Sequence, residues 1–405
     1  MKNKIPYAII ILITTSISVA LTNTTLSRNS FFLAAFLLVI HTIISKKNKI
    51  ELPSLAMSLC ILLISANQYT WLYRFSPTNI TDSYNQYTET SFRLLTGSIL
   101  ILLLSKINIT KKTLITILTI MLIGFIYTII YSLLKIIKHP EQRLQINTVA
   151  TMSAYVFLLQ SLTALSVISY TDISNKIKNI AILLVSSLSL FIISLTETRS
   201  ALMSYPALII IFFYFSSKQK IKPKKYLLIL IPVFTVLLCF NGTLKRLDSS
   251  FQEISNYDKG KNDSSIGSRI SMWKAGINAI EDHPFGQSAY SRFINNTIFI
   301  KSHEYGNPEA LRNIKFHLHN DIIESSSLQG IFGGLSLILF FITSFYISYR
   351  EKNKFFFIFL ILPTIILGLT DSLFIDYRFV TVLVQSIAIH LLLMKFETQR
   401  NQEES

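Results

Sequence analysis

Long apolar stretches separated by short polar interruptions run along most of this chain. The stretches 5–22, 29–45, 52–72, 91–105, 113–134, 149–169, 179–196, 200–217, 226–240, 331–349, 355–370 and 378–395 each read as a membrane-crossing helix, several of them short of the roughly 20 residues a full crossing takes. The pattern predicts an all-α membrane protein with about 12 transmembrane helices. Lys2 and Lys4 precede the first stretch, and Ser18-Val19-Ala20 loosely resembles a signal-peptidase site. An uncleaved first helix is the expectation because further spans follow, and either reading leaves the chain after Leu21 on the same side.

Composition supports this. Hydrophobic residues make up 51% of the 405 residues and charged residues only 15%, against about 25% charged in soluble domains. The net charge of +16 would suggest nucleic acid in a soluble protein. Here the charges sit in bursts between apolar runs, so they speak of topology, and no nucleic-acid partner is expected. With the N-terminus in the cytoplasm, inside segments carry Lys2 and Lys4, then Lys46, Lys47 and Lys49, then Lys106, Lys111 and Lys112, and then Lys176 and Lys178. The later ones carry the lysines of 218–225, then Arg350, Lys352 and Lys354, and finally Lys395 and Arg400. Outside loops hold fewer: Arg28; Arg74 and Arg93; Lys135, Lys138 and Arg143; Arg199; Arg378. The alternation places both termini inside, and the chain divides into helices 1–9 over 1–240, an outer loop over 241–330, helices 10–12 over 331–395 and a cytoplasmic tail over 396–405. Cys60 and Cys239 both lie in apolar runs and suggest neither a disulfide nor a metal site.

The outer loop is long and polar, with its basic residues balanced by ten Asp and Glu. A connection of this length normally has structure or function. Ile266, Ile270, Trp273, Ile277 and Ile280 recur at helical spacing until His283-Pro284 and Gly286 stop the pattern. They predict a surface helix lying on the bundle, with a second helix starting near His319 and ending at Gln329-Gly330.

Three clusters carry candidate chemistry. Thr196-Glu197-Thr198-Arg199-Ser200 interrupts two apolar runs whose flanking lysines lie on one side, so this hairpin reaches the outer face with Arg199 at its tip. Charge at membrane depth points to function unless it is merely an interfacial turn. Ser264-Ser265-Ile266-Gly267-Ser268-Arg269 leads into the surface helix. A cation in the first turn opposes the helix dipole, so Arg269 is either solvated or part of a phosphate site shared with the helix N-terminus. The third cluster runs from His317 through Leu318, His319 and Asn320 to Glu324. On a helix the two histidines would not share a face, and HExxH is lacking, so no zinc site is expected; Asn320 and Glu324 would share one. A neutral imidazole can accept a proton from a sugar hydroxyl, or simply cap a helix or sit at the interface.

Other classes fit poorly. The sequence has no Walker A loop, no Gly-rich dinucleotide motif and no Asp-x-Asp pair for a metal-bound nucleotide sugar. The spans are almost free of charge at mid-depth and no internal repeat is visible, which argues against an ion-coupled transporter.

Together these features resemble the bacterial O-antigen ligases, within the wider O-antigen ligase and polymerase superfamily. Thr196-Glu197-Thr198-Arg199 resembles the family's Thr-x-Ser/Thr-Arg element. Gly267-Ser268-Arg269, with Trp273 and His283-Pro284-Phe285-Gly286, resembles its Arg-helix-Pro-x-Gly element. His319-Asn320-Asp321-Ile322-Ile323-Glu324 with Gly330 resembles its His-Asn-x-x-x-x-Glu element, except that family members often have Gly after the Glu, where Ser325 and Ser326 stand here. The resemblance implies transfer of O-antigen polysaccharide from undecaprenyl diphosphate to lipid A–core on the periplasmic face of the inner membrane, inverting and without metal or cofactor. It implies His319 as base and Arg199 and Arg269 as diphosphate ligands. Arg143, Arg93, His317, Asn320 and Glu324 are secondary candidates for holding diphosphate or acceptor. An O-antigen polymerase, a protein O-oligosaccharyltransferase or, in another class, a lipid-linked glycan flippase are the alternatives.

Overall fold

The computed structural model describes residues 4–45, 50–75, 82–216, 253, 257, 264–351 and 353–404. Apolar stretches become helices because a bilayer offers backbone groups no partner outside the segment. We number the described helices in chain order: α1 Lys4–Ser18, α2 Thr24–Ser45, α3 Leu52–Arg74, α4 Asp82–Leu104, α5 Lys111–Lys138, α6 Ala150–Tyr170, α7 Asn175–Leu195 and α8 Arg199–Ser216. The segment after α8 contributes α9 Ser265–Asp282, α10 Ala289–His303, α11 Pro308–Asn313 and α12 Asp321–Gln329. α13 Ile331–Arg350, a broken helix α14 and α15 Tyr377–Glu404 complete the set. Within α14 a π-helical stretch, Phe357–Ile361, joins Lys354–Phe356 to Leu362–Gly368. Pro363 supplies no N–H, and a widened turn just before it is the usual accommodation.

The described residues are all-helical, as in a multi-pass membrane protein. Seven described helices (α2, α3, α5, α6, α7, α13 and α15) are long and apolar enough to cross a membrane, while Lys4–Ser18, Arg199–Tyr214 and Phe357–Gly368 are shorter apolar helices. The expected ninth span, 226–240, lies outside the described residues, as does the 218–225 lysine cluster. α4 departs from expectation by starting at Asp82, nine residues ahead of the apolar run at 91, so it carries Glu89 as well. One face of its polar first half packs inside the protein, with Tyr84, Tyr87, Thr90, Ser91 and Arg93 buried, while Asn85, Gln86, Thr88 and Glu89 are exposed. The last helix also outruns its predicted end at 395.

Two helices form the centre. In α6 and α15, 94% of the membrane-length window is buried, against 33–50% in α2, α3, α5, α7 and α13. A helix apolar on all sides belongs in the interior, and Thr163 of α6 finds partners there, Oγ1 meeting Leu159 O and Ser386 Oγ of α15, the latter at 2.9 Å.

α9 to α12 pack as a cap against one end of the bundle. Ser264 caps α9 by accepting from Gly267 N, and His283-Pro284 ends it as the sequence predicts. The buried face differs from the expected one. Ser268, Ser271, Met272, Ala275, Gly276 and Ala279 face inward, whereas Ile277 is exposed and Trp273 only half-buried. Small residues win because the approach is close: a Cβ on Gly276 would lie 2.5 Å from Ile323 Cγ2 and 2.7 Å from Leu318 Cδ1. Two further motif glycines clasp each other. Gly286 and Gly330 take φ of +90° and +76°, Gln287 N donates to Leu328 O, and Ile331 N donates to Pro284 O. Side chains fit poorly in both the conformation and the space. The Ser325-Ser326 departure from the family pattern is absorbed across the same interface, where Ser326 Oγ packs directly over Gly334, which has no Cβ to obstruct it.

Candidate active site

The cap and the α7–α8 hairpin meet at this end of the bundle. The hairpin turns tightly, with Glu197 at φ +52°, and is pinned from the neighbouring loop by Leu144 N to Leu195 O and Arg143 Nε to Thr196 O at 2.9 Å. Arg199 then opens α8. Its guanidinium pairs with Glu253 Oε1 at 3.2 Å, while Glu253 Oε2 accepts from Ile266 N at the start of α9. One carboxylate therefore bridges Arg199 and the α9 N-terminus, the place where the sequence suggests an anion site. Arg143 contacts the hairpin backbone through its Nε.

Tyr155 of α6 ties the pieces together. Its hydroxyl lies 2.8 Å from Ser200 Oγ, and it also meets Thr370 and feels the charges of both Asp371 and Arg269. The hairpin, the first turn of α9 and the loop after α14 thus converge on one tyrosine. Trp273, one turn beyond Arg269 on the same side of α9, donates its indole N–H to His319 O at 3.3 Å.

His319 lies outside any helix, and this corrects the expected geometry of the histidine pair. α12 starts at Asp321, and His319 takes φ +52°, a conformation costing a non-glycine residue roughly 1–2 kcal/mol. In this non-helical stretch His317 and His319 do not face apart: their rings are 4.2 Å apart, and Nδ1 of each approaches Asp371 Oδ1, at 3.7 and 3.0 Å. An ionised carboxylate only accepts, so His319 Nδ1 carries the hydrogen and Nε2 keeps the lone pair. Asp371 is held in that form. Burial pushes its carboxyl up, but the His319 hydrogen bond, the two neighbouring imidazoles and the Ser372 backbone N–H outweigh it and hold the carboxyl well below the usual range. Burial and the neighbouring His319 push His317 down to about 4 against the opposing pull of Asp371 and Glu324, so it is neutral at pH 7.

The remaining candidates have structural partners. Asn320 is the N-cap of α12, its Oδ1 accepting from Ile322 N and Ile323 N. Glu324 does not share an open face with it. It is buried in an ion pair with Arg292 at 2.8 Å, both side chains 2% exposed or less, and its other oxygen accepts from Leu318 N at 2.8 Å. Glu324 thereby fixes the backbone between the two histidines. Arg93 is likewise drawn into the bundle, donating to Thr381 Oγ1 at 2.8 Å, pairing with Glu89 and stacking on Tyr377. Behind α12, Asp321 Oδ1 accepts from Leu373 N and Phe374 N and locks the loop that carries Asp371. Burial drives the Asp321 carboxyl well up, despite those two N–H groups.

Asp371, Tyr155, Glu253 and Arg292 escaped the sequence reading. Asp371 had a visible signal: Thr370-Asp371-Ser372 is a charged interruption between two apolar runs, as informative by position as Arg199. Tyr155 had none, since it stands inside an apolar run.

The O-antigen ligase family model matches residues 184–338, which holds the hairpin, the cap and the start of α13. The chain is also 26% identical to the O-antigen ligase of Escherichia coli (strain K12) over 388 residues, covering 94% of this chain and 91% of that protein. An uncharacterized protein of Haemophilus influenzae (strain ATCC 51907 / DSM 11121 / KW20 / Rd) is 27% identical over 141 residues, 32% of this chain and 34% of its own length. With the three motifs assembled at one end of a helical membrane bundle, and with the match running nearly end to end, the chain is similar to the O-antigen ligases along most of its length.

Proposed function

We propose that this chain is an O-antigen ligase of the inner membrane, moving O-antigen polysaccharide from undecaprenyl diphosphate to lipid A–core at the periplasmic face. The observation that carries the reading is His319, whose Nδ1 is tied to Asp371 at 3.0 Å so that Nε2 can accept a proton, beside Tyr155, which meets Ser200 next to Arg199 and feels the charges of Asp371 and Arg269. The acceptor hydroxyl oxygen attacks the anomeric carbon, its proton passes to Nε2, and the carbon–oxygen bond to the diphosphate breaks with inversion. Asp371 stabilises the imidazolium that results. The departing diphosphate gathers negative charge, which Arg199, Arg269 and the α9 N-terminus offset, each charge-assisted bond contributing about 1.5–3 kcal/mol. The donor exchanges for the Glu253 carboxylate on Arg199. Energy comes from the sugar–diphosphate bond itself, and the cations and base named here suffice without a metal.

The near full-length match to an O-antigen ligase favours lipid A–core as acceptor over a growing glycan chain or a protein. A deletion strain tests this. Rough lipopolysaccharide with undecaprenyl-linked polymer accumulating, restored by the wild-type chain and not by His319→Ala, is the expected result. A single repeat capping the core would instead identify a polymerase, and an intact smooth pattern would sink both readings.

A further inference from the structure

We propose that His317, His319 and Asp371 also form a three-donor site for a zinc-class divalent ion, and that its occupancy reversibly switches glycan transfer off. The inhibitory half of this rests on His319 as the base; the site itself does not.

The three donor atoms lie within 4.8 Å of one another. Around a tetrahedral zinc with ligand distances near 2.1 Å, neighbouring donors stand about 3.4 Å apart, and the two separations to Asp371 Oδ1, 3.0 and 3.7 Å, straddle that value. A second observation points the same way. His317 Nδ1 is buried with no hydrogen-bond partner, a costly condition for a ring nitrogen unless something completes it. The side chains are nonetheless reachable, at 24% and 22% exposure for the two histidines. Two imidazoles and one carboxylate with an open fourth position suit zinc, and its neighbours copper, nickel and cobalt, rather than magnesium or calcium.

Inhibition follows from the imidazole itself. The hydrogen bond to Asp371 places the His319 proton on Nδ1 and the lone pair on Nε2. A metal ion takes the lone pair on Nδ1, so the proton moves to Nε2, and the nitrogen that accepts the sugar hydroxyl's proton becomes a donor. Asp371 and the metal thus select opposite tautomers of one ring.

The test uses purified full-length protein in detergent, titrated with Co²⁺ as a coloured stand-in. A visible absorption band of tetrahedral cobalt, displaced by Zn²⁺, is expected, and His317→Asn should weaken cobalt binding by at least about tenfold while eluting as the same monodisperse species. Ligation should fall at least about tenfold in Zn²⁺ and return with chelator, with His317→Asn losing this sensitivity relative to its own metal-free rate. Absence of the cobalt band, or a band unchanged in His317→Asn, overturns the site whatever His319 does in catalysis. Cobalt and zinc binding with ligation untouched overturns the switch. An active His319→Ala, by contrast, sinks the base assignment and leaves the cobalt result standing.

Discussion

Glu324 offers the sharpest test of whether a motif residue acts on substrate or holds the site in place. Its carboxylate is 2.8 Å from Arg292 Nη1 and takes Leu318 N at 2.8 Å, and the Tyr87 hydroxyl reaches it at 3.4 Å. Glu324→Ala leaves a buried guanidinium uncompensated, which costs about 3–5 kcal/mol. It also orphans Leu318 N–H, for roughly 1–3 kcal/mol more. These share partners and will not add fully, but either is large against a net stability on the order of 5–15 kcal/mol. The variant should therefore show a clearly lower thermal midpoint in detergent and less inserted protein by immunoblot, with ligation falling in proportion or further as the histidine stretch loosens. Arg292→Met combined with Glu324→Leu removes both charges at once and should recover much of the lost stability without recovering full activity. Glu324→Gln, which can still accept from Leu318 N, should fall between. If Glu324→Ala keeps wild-type abundance and midpoint yet cannot ligate, the carboxylate acts on substrate and the buttress argument is refuted.

Arg199→Ala and Arg269→Ala should each lower ligation by about 10²–10³-fold with normal protein levels, and Lys at either position should restore only part, because an ammonium cannot make the two-pronged contact to phosphate oxygens; two near-normal alanine variants would remove both from the reaction. Asp371→Asn, nearly the same shape, should cost about 10²–10⁴-fold in rate through loss of the charged acceptor for His319 Nδ1–H, with the donor still bound in a photocrosslinking assay; unchanged turnover would break the His319–Asp371 link. The pH dependence of folding is set in part by His317, whose value is held at about 4 in the fold against about 6.5 in an unfolded chain. A depressed value means stability is complete above the unfolded pKa and is lost as pH falls through the folded one, so the thermal midpoint should drop between pH 6.5 and 4, and His317→Asn should flatten that fall.

Much of the fold was legible because a bilayer leaves few choices. Apolar runs near 20 residues must become helices, and His283-Pro284 and Gly330 end their helices where proline and glycine chemistry dictates. What misled was periodicity outside the membrane. The Ile266–Ile280 stripe reads as the buried face of α9, yet the buried face is the small one, because Gly276 lets Ile323 and Leu318 approach within a distance no side chain permits. Local patterning records how apolar a face is, not how close its partner comes. Arg93 misled for a related reason: Thr381 and Tyr377, almost 290 residues away, draw it inward. Of the candidate site, Arg269 was suggested by the start of the surface helix, His319 by its His-Asn-x-x-x-x-Glu element, and Arg199 by its place between two apolar runs. Asp371 was available by the same logic, and only the fold pairs it with a histidine 52 residues earlier in the chain.

The distribution of buried charge carries the last step. Charged and titratable groups are costly inside a membrane protein and are kept mainly where function needs them. In this chain Arg292, Glu324, Asp321 and Asp371 are all at least 96% buried, and all four lie behind or beside the short stretch from His317 to Asn320. Arg292 and Glu324 fix Leu318 N, Asp321 fixes the Asp371 loop through two backbone N–H groups, and Asp371 fixes the His319 ring. A fold seeking only stability would replace such groups with apolar packing, often at no loss. Their concentration around one strained histidine is the mark of preorganisation: the surrounding network over-determines a geometry that the His319 backbone would not adopt alone. The same reasoning separates His319 from His390, which is buried within α15 with its Nδ1 on Ser386 O and, among the described residues, no carboxylate bonded to it. That histidine is packed into the bundle, whereas His319 is aimed.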